Sequence, residues 1–387
     1  MSEIYFDNSA TTRVLKSAAD VSYKVMTEEY GNPSSVHGKG VNAQNILSEC
    51  RQRLLSSLGV RPRGNYTVFF TGSGTEADNM AVTGVMSAKK YRIKPRIITT
   101  DSEHPAVLSP IMEAEKNGAD VIRLSTRGGV IDMNELISAL TPETVLVSVM
   151  LVNNETGALY DVKSIFNEVK KRCPDAITHC DAIQGYMKLP INISKLGCDL
   201  MTVSAHKIGA PKGLGALICE NSLLTKRRLA PVIFGGGQEQ GLRSGTENLP
   251  AIAAFSAAIS EHKDKINENY EYVSRLREKL VSLLPEGVTV NVPQNEYLPH
   301  IISITADGIK SEVLVRALSA EGIYISAGSA CSSKKLKTST VLTAFGHSPD
   351  KADSTVRVSI CPENTATEAE IFVKVMSETL NKLTRKR

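Results

Sequence analysis

The chain has 387 residues, a formal net charge of +4 and 22% charged residues. That length buries a sizeable core and predicts two domains, and so balanced a charge gives no ground for nucleic-acid binding or a membrane surface. Cys50, Cys173, Cys180, Cys198, Cys219, Cys331 and Cys361 form no CxxC pair, which speaks for a reducing compartment and against both a disulfide framework and a metal site. Met1 to Asp7 carries no basic or apolar leader, and no run reaches transmembrane length. The expectation is a soluble, cytoplasmic protein.

From about residue 40 to 250, β-branched runs alternate with amphipathic stretches. Strands are expected at 66–70, 96–100, 120–124, 145–149, 177–181, 200–204 and 215–218, and helices at 134–140 and 162–171 among others. Such alternation predicts an α/β fold with a mostly parallel sheet, whose ligands bind beyond the carboxyl ends of the strands. A Gly-rich loop expected to be flexible follows at 235–241. A long helix from about 251 to 284 then leads into a second, α+β region.

The first chemical signal is Gly72-Ser73-Gly74-Thr75-Glu76-Ala77, which follows a strand and opens a helix. Backbone amides and a helix N-terminus there can approach a phosphate. The pattern also reads as a dinucleotide site with Asp101 as its acid, but that reading explains neither Lys207 nor Cys331. His104, after the predicted strand at 96–100, reads equally as a ring-stacking group or a surface histidine. Asn153-Asn154-Glu155-Thr156-Gly157 reads equally as a binding loop or a plain turn.

Asp181 ends one strand, and Ser204-Ala205-His206-Lys207 leaves the next. An aldehyde cofactor with a ring nitrogen and a phosphate needs a lysine for the Schiff base, an acid for the ring nitrogen and small polar groups for the phosphate. Lys207 fits the first need better than Lys212, which sits in turn chemistry. Asp181 fits the second, although it also reads as a turn acid, and Gln184 on the same turn can donate to a ring oxygen. Gly74, Thr75, Ser204 and His206 suit the phosphate. Arg357, alone in an apolar alternating run, suits a carboxylate. Cys331 lies in a polar loop with Lys334 and Lys335 close by, which favours its thiolate.

Assembled, these residues resemble the pyridoxal-phosphate cysteine desulfurases of the NifS/IscS type. The matching segments are Tyr5 to Thr12, Gly31 to His37, Thr71 to Ala77, Glu103-His104, Asn153 to Gly157, Asp181 to Gln184, Ser204 to Lys207, Arg243 to Asn248 and Gly328 to Cys331. The resemblance implies an aspartate-aminotransferase-like fold of type I, with a large domain at 16–258 and a small α+β domain formed by 1–15 with 259–387. It implies that pyridoxal 5'-phosphate is held by Lys207, with Asp181 on the pyridine nitrogen and Gln184 on the ring oxygen. His104 would stack and shuttle protons, and Asn154 and Arg357 would hold the carboxylate of L-cysteine. Cys331 would take the sulfur and pass it to an acceptor or cluster-scaffold protein, in iron–sulfur cluster assembly or a thiolation pathway. A homodimer is implied, with Thr246 reaching the partner's phosphate. A selenocysteine lyase would share these residues, and a class V aminotransferase would not use Cys331.

Two features depart from the family. Arg357 is followed by Val358-Ser359-Ile360-Cys361 rather than Phe-Ser-Leu-Gly, which makes Cys361 a candidate second reactive thiol. Lys334, Lys335 and Lys337 also make the Cys331 loop unusually basic. The spacing from Cys331 to Phe345-Gly346 resembles the long-loop subgroup.

Overall fold

The computed structural model describes residues 3–61, 64–328 and 339–384. Among these residues, twelve strands form three sheets. In chain order they are β1 (Ile4–Tyr5), β2 (Tyr66–Thr71), β3 (Arg96–Thr100), β4 (Asp120–Leu124), β5 (Thr144–Ser148), β6 (Ile177–Asp181), β7 (Leu200–Ser204), β8 (Gly215–Glu220), β9 (Val288–Val290), β10 (Ile301–Ala306), β11 (Ile323–Tyr324) and β12 (Thr355–Ser359). The seven strand segments expected from the sequence all appear in one seven-stranded sheet, ordered β2-β8-β7-β6-β5-β3-β4. Its strands run parallel except β8, which is antiparallel to both neighbours. β6 and β7 are buried along their whole length, as expected of central strands covered on both faces.

β12, β10 and β9 form a small antiparallel sheet, and β1 pairs in parallel with β11. The core behind them joins Ile4 and Phe6 to residues between Val273 and Met376. The chain's first residues thus pack with its last third.

The expected helix over 251–284 is two helices, Leu249–His262 and Ile266–Ser282, broken at Lys263 to Lys265. The apolar pattern gives the reason. The first is apolar nearly all round and lies in the core beside the large sheet, whereas Val273, Leu276 and Leu280 of the second face the small-sheet core. One straight helix cannot serve both. The Gly-rich loop is tethered rather than free: the Glu239 carboxylate is buried and takes two hydrogen bonds from Arg51, at 2.6 and 2.7 Å, and one from the Phe70 amide.

One close approach sets the geometry of the sheet's carboxyl edge. A Cβ on Gly215, at the start of β8, would lie 2.4 Å from the Ser73 carbonyl carbon and 2.5 Å from the Gly74 nitrogen. Helix Gly74–Ser87 can therefore press its first turn onto the strand ends only because Gly215 has no side chain. Gly215→Ala should force that turn away and lower stability by about 1–3 kcal/mol, the usual range for overpacking. The apparent thermal midpoint checks this, and an unchanged midpoint would contradict the packing described.

Candidate active site

The site grows from the carboxyl ends of β6 and β7. Asp181 is the last residue of β6, and its Oδ1 accepts the Ile183 amide at 2.9 Å. Ser204 ends β7, and the chain then tightens into a 3-10 turn at Ala205–Lys207. That turn brings the Lys207 amine out at the sheet edge, where Nζ donates to the Ser9 carbonyl at 2.6 Å and the Ala10 carbonyl at 2.8 Å. Lys207 is also the nearby cation that partly offsets the upward shift of Asp181, so the structure brings amine and carboxylate together. Lys212 is exposed beside Gly213 and reaches the site only through its charge, which helps to lower the pKa of His206.

Helix Gly74–Ser87 supplies the anion end. Ser73 caps it, its Oγ accepting the Glu76 amide at 3.1 Å and its carbonyl the Ala77 amide at 3.2 Å. The Gly74 and Thr75 amides, which have no intrahelical acceptor, point along the helix axis toward the strand ends. A Cβ on Gly74 would meet Ser204 Cβ at 3.2 Å, so Gly74 and Ser204 are in contact range. The carboxylate of Glu76 would repel an anion there, but it is bonded to Arg243 Nε at 2.7 Å and to the Gly72 amide at 2.9 Å. Asp101, the acid of the dinucleotide reading, is spent instead on Thr126, whose amide and hydroxyl both donate to it.

The N-terminal segment closes the site. Besides holding Lys207, the Ser9 carbonyl accepts from Gln184 Nε2 at 3.0 Å, and His206 Nδ1 lies 3.2 Å from Thr11 Oγ1. The Thr12 amide and hydroxyl both donate to the His206 carbonyl. The sequence marked residues 5–12 only as a matching motif. Their contribution is largely through backbone carbonyls, for which side-chain identity is no guide.

Opposite, Arg357 is 3% exposed and donates to the Asn154 carbonyl and to Asp7 Oδ1, both at 2.9 Å. Its Nε and the Asn154 Oδ1 are buried without a hydrogen-bond partner among the described residues; the first, a donor, suits an anionic group, and the second, an acceptor, suits a donor on the same guest. Glu155, next in the loop, accepts from Ser339 Oγ at 2.6 Å. Thr246 stands apart from these groups, exposed on a loop that Arg243 ties to the helix start. Cys331, Lys334, Lys335 and Lys337 lie outside the described residues. Desolvation and the nearby Glu363 push the pKa of Cys361 well up, which disfavours the thiolate that a second reactive thiol would need.

Burial governs the charges. His104 caps helix Pro105–Lys116, and its Nδ1 accepts the Ala106 amide at 3.1 Å, so the neutral ring carries its proton on Nε2. Desolvation and the charge of Lys207 lower its pKa to about 4. Asp181 is raised to about 6 by burial. Behind it, Asp78 is held well above the usual range by burial and by the charge of Asp181, and burial raises Glu103 to about 8. His179, between Ser148 and Thr202 and 3.6 Å from Asp78, is lowered to about 3. Asp181 is thus the carboxylate of this cluster that stays ionised at neutral pH. These groups fit pyridoxal phosphate: an amine for the aldehyde carbon, an ionised acid for the ring nitrogen, and a helix N-terminus with Ser204 and His206 for the phosphate.

The depressed histidines set an acid limit. His104, His179 and His206 have folded pKa values of about 4, 3 and 4 against 6.5 unfolded. Between pH 6.5 and 4 the unfolded chain therefore binds protons that the folded chain refuses, and stability falls as pH falls. Asp181, Asp78, Glu103 and Glu155 are raised and offset part of this, but His262, His300 and His347 are lowered too, so six depressed histidines outweigh four raised carboxylates. The apparent thermal midpoint should drop from pH 6.5 to 4.5, and a rise over that interval would contradict this assignment of charges.

The aminotransferase class-V family model matches residues 4–372. A cysteine desulfurase from Trichormus azollae is 36% identical over 99% of this chain and 94% of its own. Cysteine desulfurase IscS from Methanosarcina thermophila is 34% identical over 98% and 92%. Among solved structures, a NifS-like protein superposes with a TM-score of 0.90 at 35% identity, covering 98% of this chain and 99% of that one. SspA in complex with cysteine gives a TM-score of 0.80 at 29% identity, over 94% of this chain and 100% of that one. Sheet order, strand-end chemistry and these full-length matches agree: the chain belongs to the aminotransferase class-V family, among its pyridoxal-phosphate-dependent cysteine desulfurases of the NifS/IscS type.

Proposed function

We propose that this chain is a cysteine desulfurase that moves the sulfur of L-cysteine onto Cys331, releases L-alanine and passes the persulfide to an acceptor protein. The observation that carries this reading is the Lys207 amine beside the ionised Asp181 at the ends of adjacent parallel strands, in a chain whose cysteine desulfurase relatives match it end to end. When bound, pyridoxal phosphate supplies an electron sink at the substrate Cα, strengthened by a carboxylate at its ring nitrogen. Arg357 and Asn154 orient the substrate carboxylate, so that its sulfur faces the Cys331 loop. The Lys207 amine is the base for the Cα proton. His104, neutral with its proton on Nε2, covers the ring and is the nearby proton carrier.

The transfer balances without any outside oxidant. The Cys331 thiolate attacks the substrate sulfur, an S–S bond forms and the substrate C–S bond breaks. The C–S electron pair goes to the substrate β-carbon, which takes up one proton, equal to the one the Cys331 thiol gave up on ionising. Cysteine plus thiol thus gives alanine plus persulfide.

The protein works as a cytoplasmic homodimer in this reading. Large apolar side chains left exposed, Phe234 at 81%, Tyr30 at 68% and Val36 at 97%, support burial against a second copy. We assign 16–258 to a large domain and 1–15 with 259–387 to a small one, in keeping with the core that joins Ile4 and Phe6 to the last third. Acceptors in iron–sulfur cluster assembly or thiolation fit the persulfide.

Lys207→Ala should abolish turnover while leaving the fold intact by circular dichroism. Intact mass after brief exposure to L-cysteine should show a one-sulfur gain on the wild type that vanishes in Cys331→Ser. A gain retained in Cys331→Ser would move the sulfur to another thiol and overturn the assignment.

A further inference from the structure

The turn after β6 carries a second lysine that the chemistry above does not use. Lys188 follows Met187, whose φ of 60° is a left-handed conformation uncommon for a side-chain-bearing residue. Its Nζ donates to Gln184 Oε1 at 3.3 Å, Gln184 Nε2 donates to the Ser9 carbonyl at 3.0 Å, and that carbonyl accepts from Lys207 Nζ at 2.6 Å. The two amines are thus linked through one carboxamide and one backbone oxygen. Both lysines line the same cavity of about 520 Å³, together with Ser9, His300 and Cys361.

No carboxylate lies within ion-pair distance of Lys188 among the described residues. The groups around it are Gln184 on its own turn, His206 and Lys207 after β7, Arg357 on β12, His300 before β10 and the Cys361 thiol after β12. An amine so enclosed is costly unless it performs a task. Burial first, then Lys207 and Arg357, lower its pKa to about 7.

A carboxamide can be flipped without changing its shape, and only its partners decide which end is which. A donor at Oε1 forces the NH₂ group toward Ser9. With one of its N–H bonds spent there, the other is free for the cofactor's ring oxygen. We propose that Lys188 is a positioning residue of the cofactor site: it fixes the flip of Gln184, and through it both the donor offered to the ring oxygen and the carbonyl on which Lys207 rests. This inference rests on the cofactor assignment but not on the fate of the sulfur.

The test follows the absorbance of the bound cofactor against pH, without substrate. Loss of the Gln184 donor, and loss of a like charge near Lys207, both favour the protonated form of the Lys207 linkage. Lys188→Met should therefore raise the midpoint of the absorbance transition by about one pH unit. Gln184→Ala should raise it similarly, and the double variant should exceed Gln184→Ala by clearly less than the full Lys188→Met shift, because only the direct charge effect of Lys188 remains once Gln184 is gone. An unmoved midpoint in Lys188→Met, or shifts that simply add, would overturn the proposal. A wild type that shows no cofactor absorbance would overturn the cofactor assignment instead. Should Lys188→Met not fold, the wild-type apoprotein labelled with ¹⁵N-glutamine serves. The Gln184 side-chain amide should shift with a midpoint near pH 7, as Lys188 titrates, and an amide unmoved from pH 5.5 to 9 would equally overturn the proposal.

Discussion

Keeping an amine and a carboxylate charged where water is scarce is the constraint around which this molecule is built. A buried charge is tolerated only when its neighbours replace the lost solvent. Lys207 finds two carbonyls of the N-terminal segment, and Asp181 finds the Ile183 amide. The surrounding groups that could add charge are kept neutral. Asp78 and Glu103 are held protonated by burial, and His104, His179 and His206 are held unprotonated by it. The site therefore carries few net charges, and the ionised ones stand where a cofactor needs them.

Backbone geometry makes that arrangement possible. Parallel strands deliver Asp181 and Ser204 to the same edge, and the helix that opens at Gly74 turns its amides onto that edge. The single antiparallel strand β8 begins at the same edge, where Gly215 makes room for the helix turn. Phosphate-binding amides and ring-binding carboxylate are thus set at a fixed spacing by main-chain packing, with few flexible side chains in between. The substrate end is built differently: Arg357 comes from the small sheet and is held by Asp7 and Asn154, so carboxylate recognition links two sheets and the N-terminus.

Much of this is legible in the sequence, for local reasons. Lys207 and Asp181 leave consecutive buried strands, and the order of chain and sheet coincides there, so motif and space agree. The seven strands of the large sheet could be read because each is a short β-branched run between turn residues. What could not be read depends on long-range packing. Ser9 and Ala10 act through carbonyls, which no residue type encodes. Lys188 resembles an ordinary turn lysine until Gln184 is seen beneath it. The break at Lys263 to Lys265 follows from two cores demanding different helix faces, and the desolvation and the Glu363 carboxylate that hold the Cys361 thiol protonated come from packing. Glu239 in the Gly-rich stretch suggested freedom, yet its carboxylate is the anchor of that loop.

The pairing of β1 with β11 sets the order in which the protein can be completed. Ile4 must wait for Ile323, and Asp7 for Arg357 and Ser359, before either has its partner. A segment made early is thus tied down by one made much later. Contacts so distant in sequence form late, after their loop-closure entropy has been met. Until then Lys207 lacks the two carbonyls that receive its amine, whatever the state of the large sheet. A nascent chain therefore holds an unfinished site until β11 and β12 have been made.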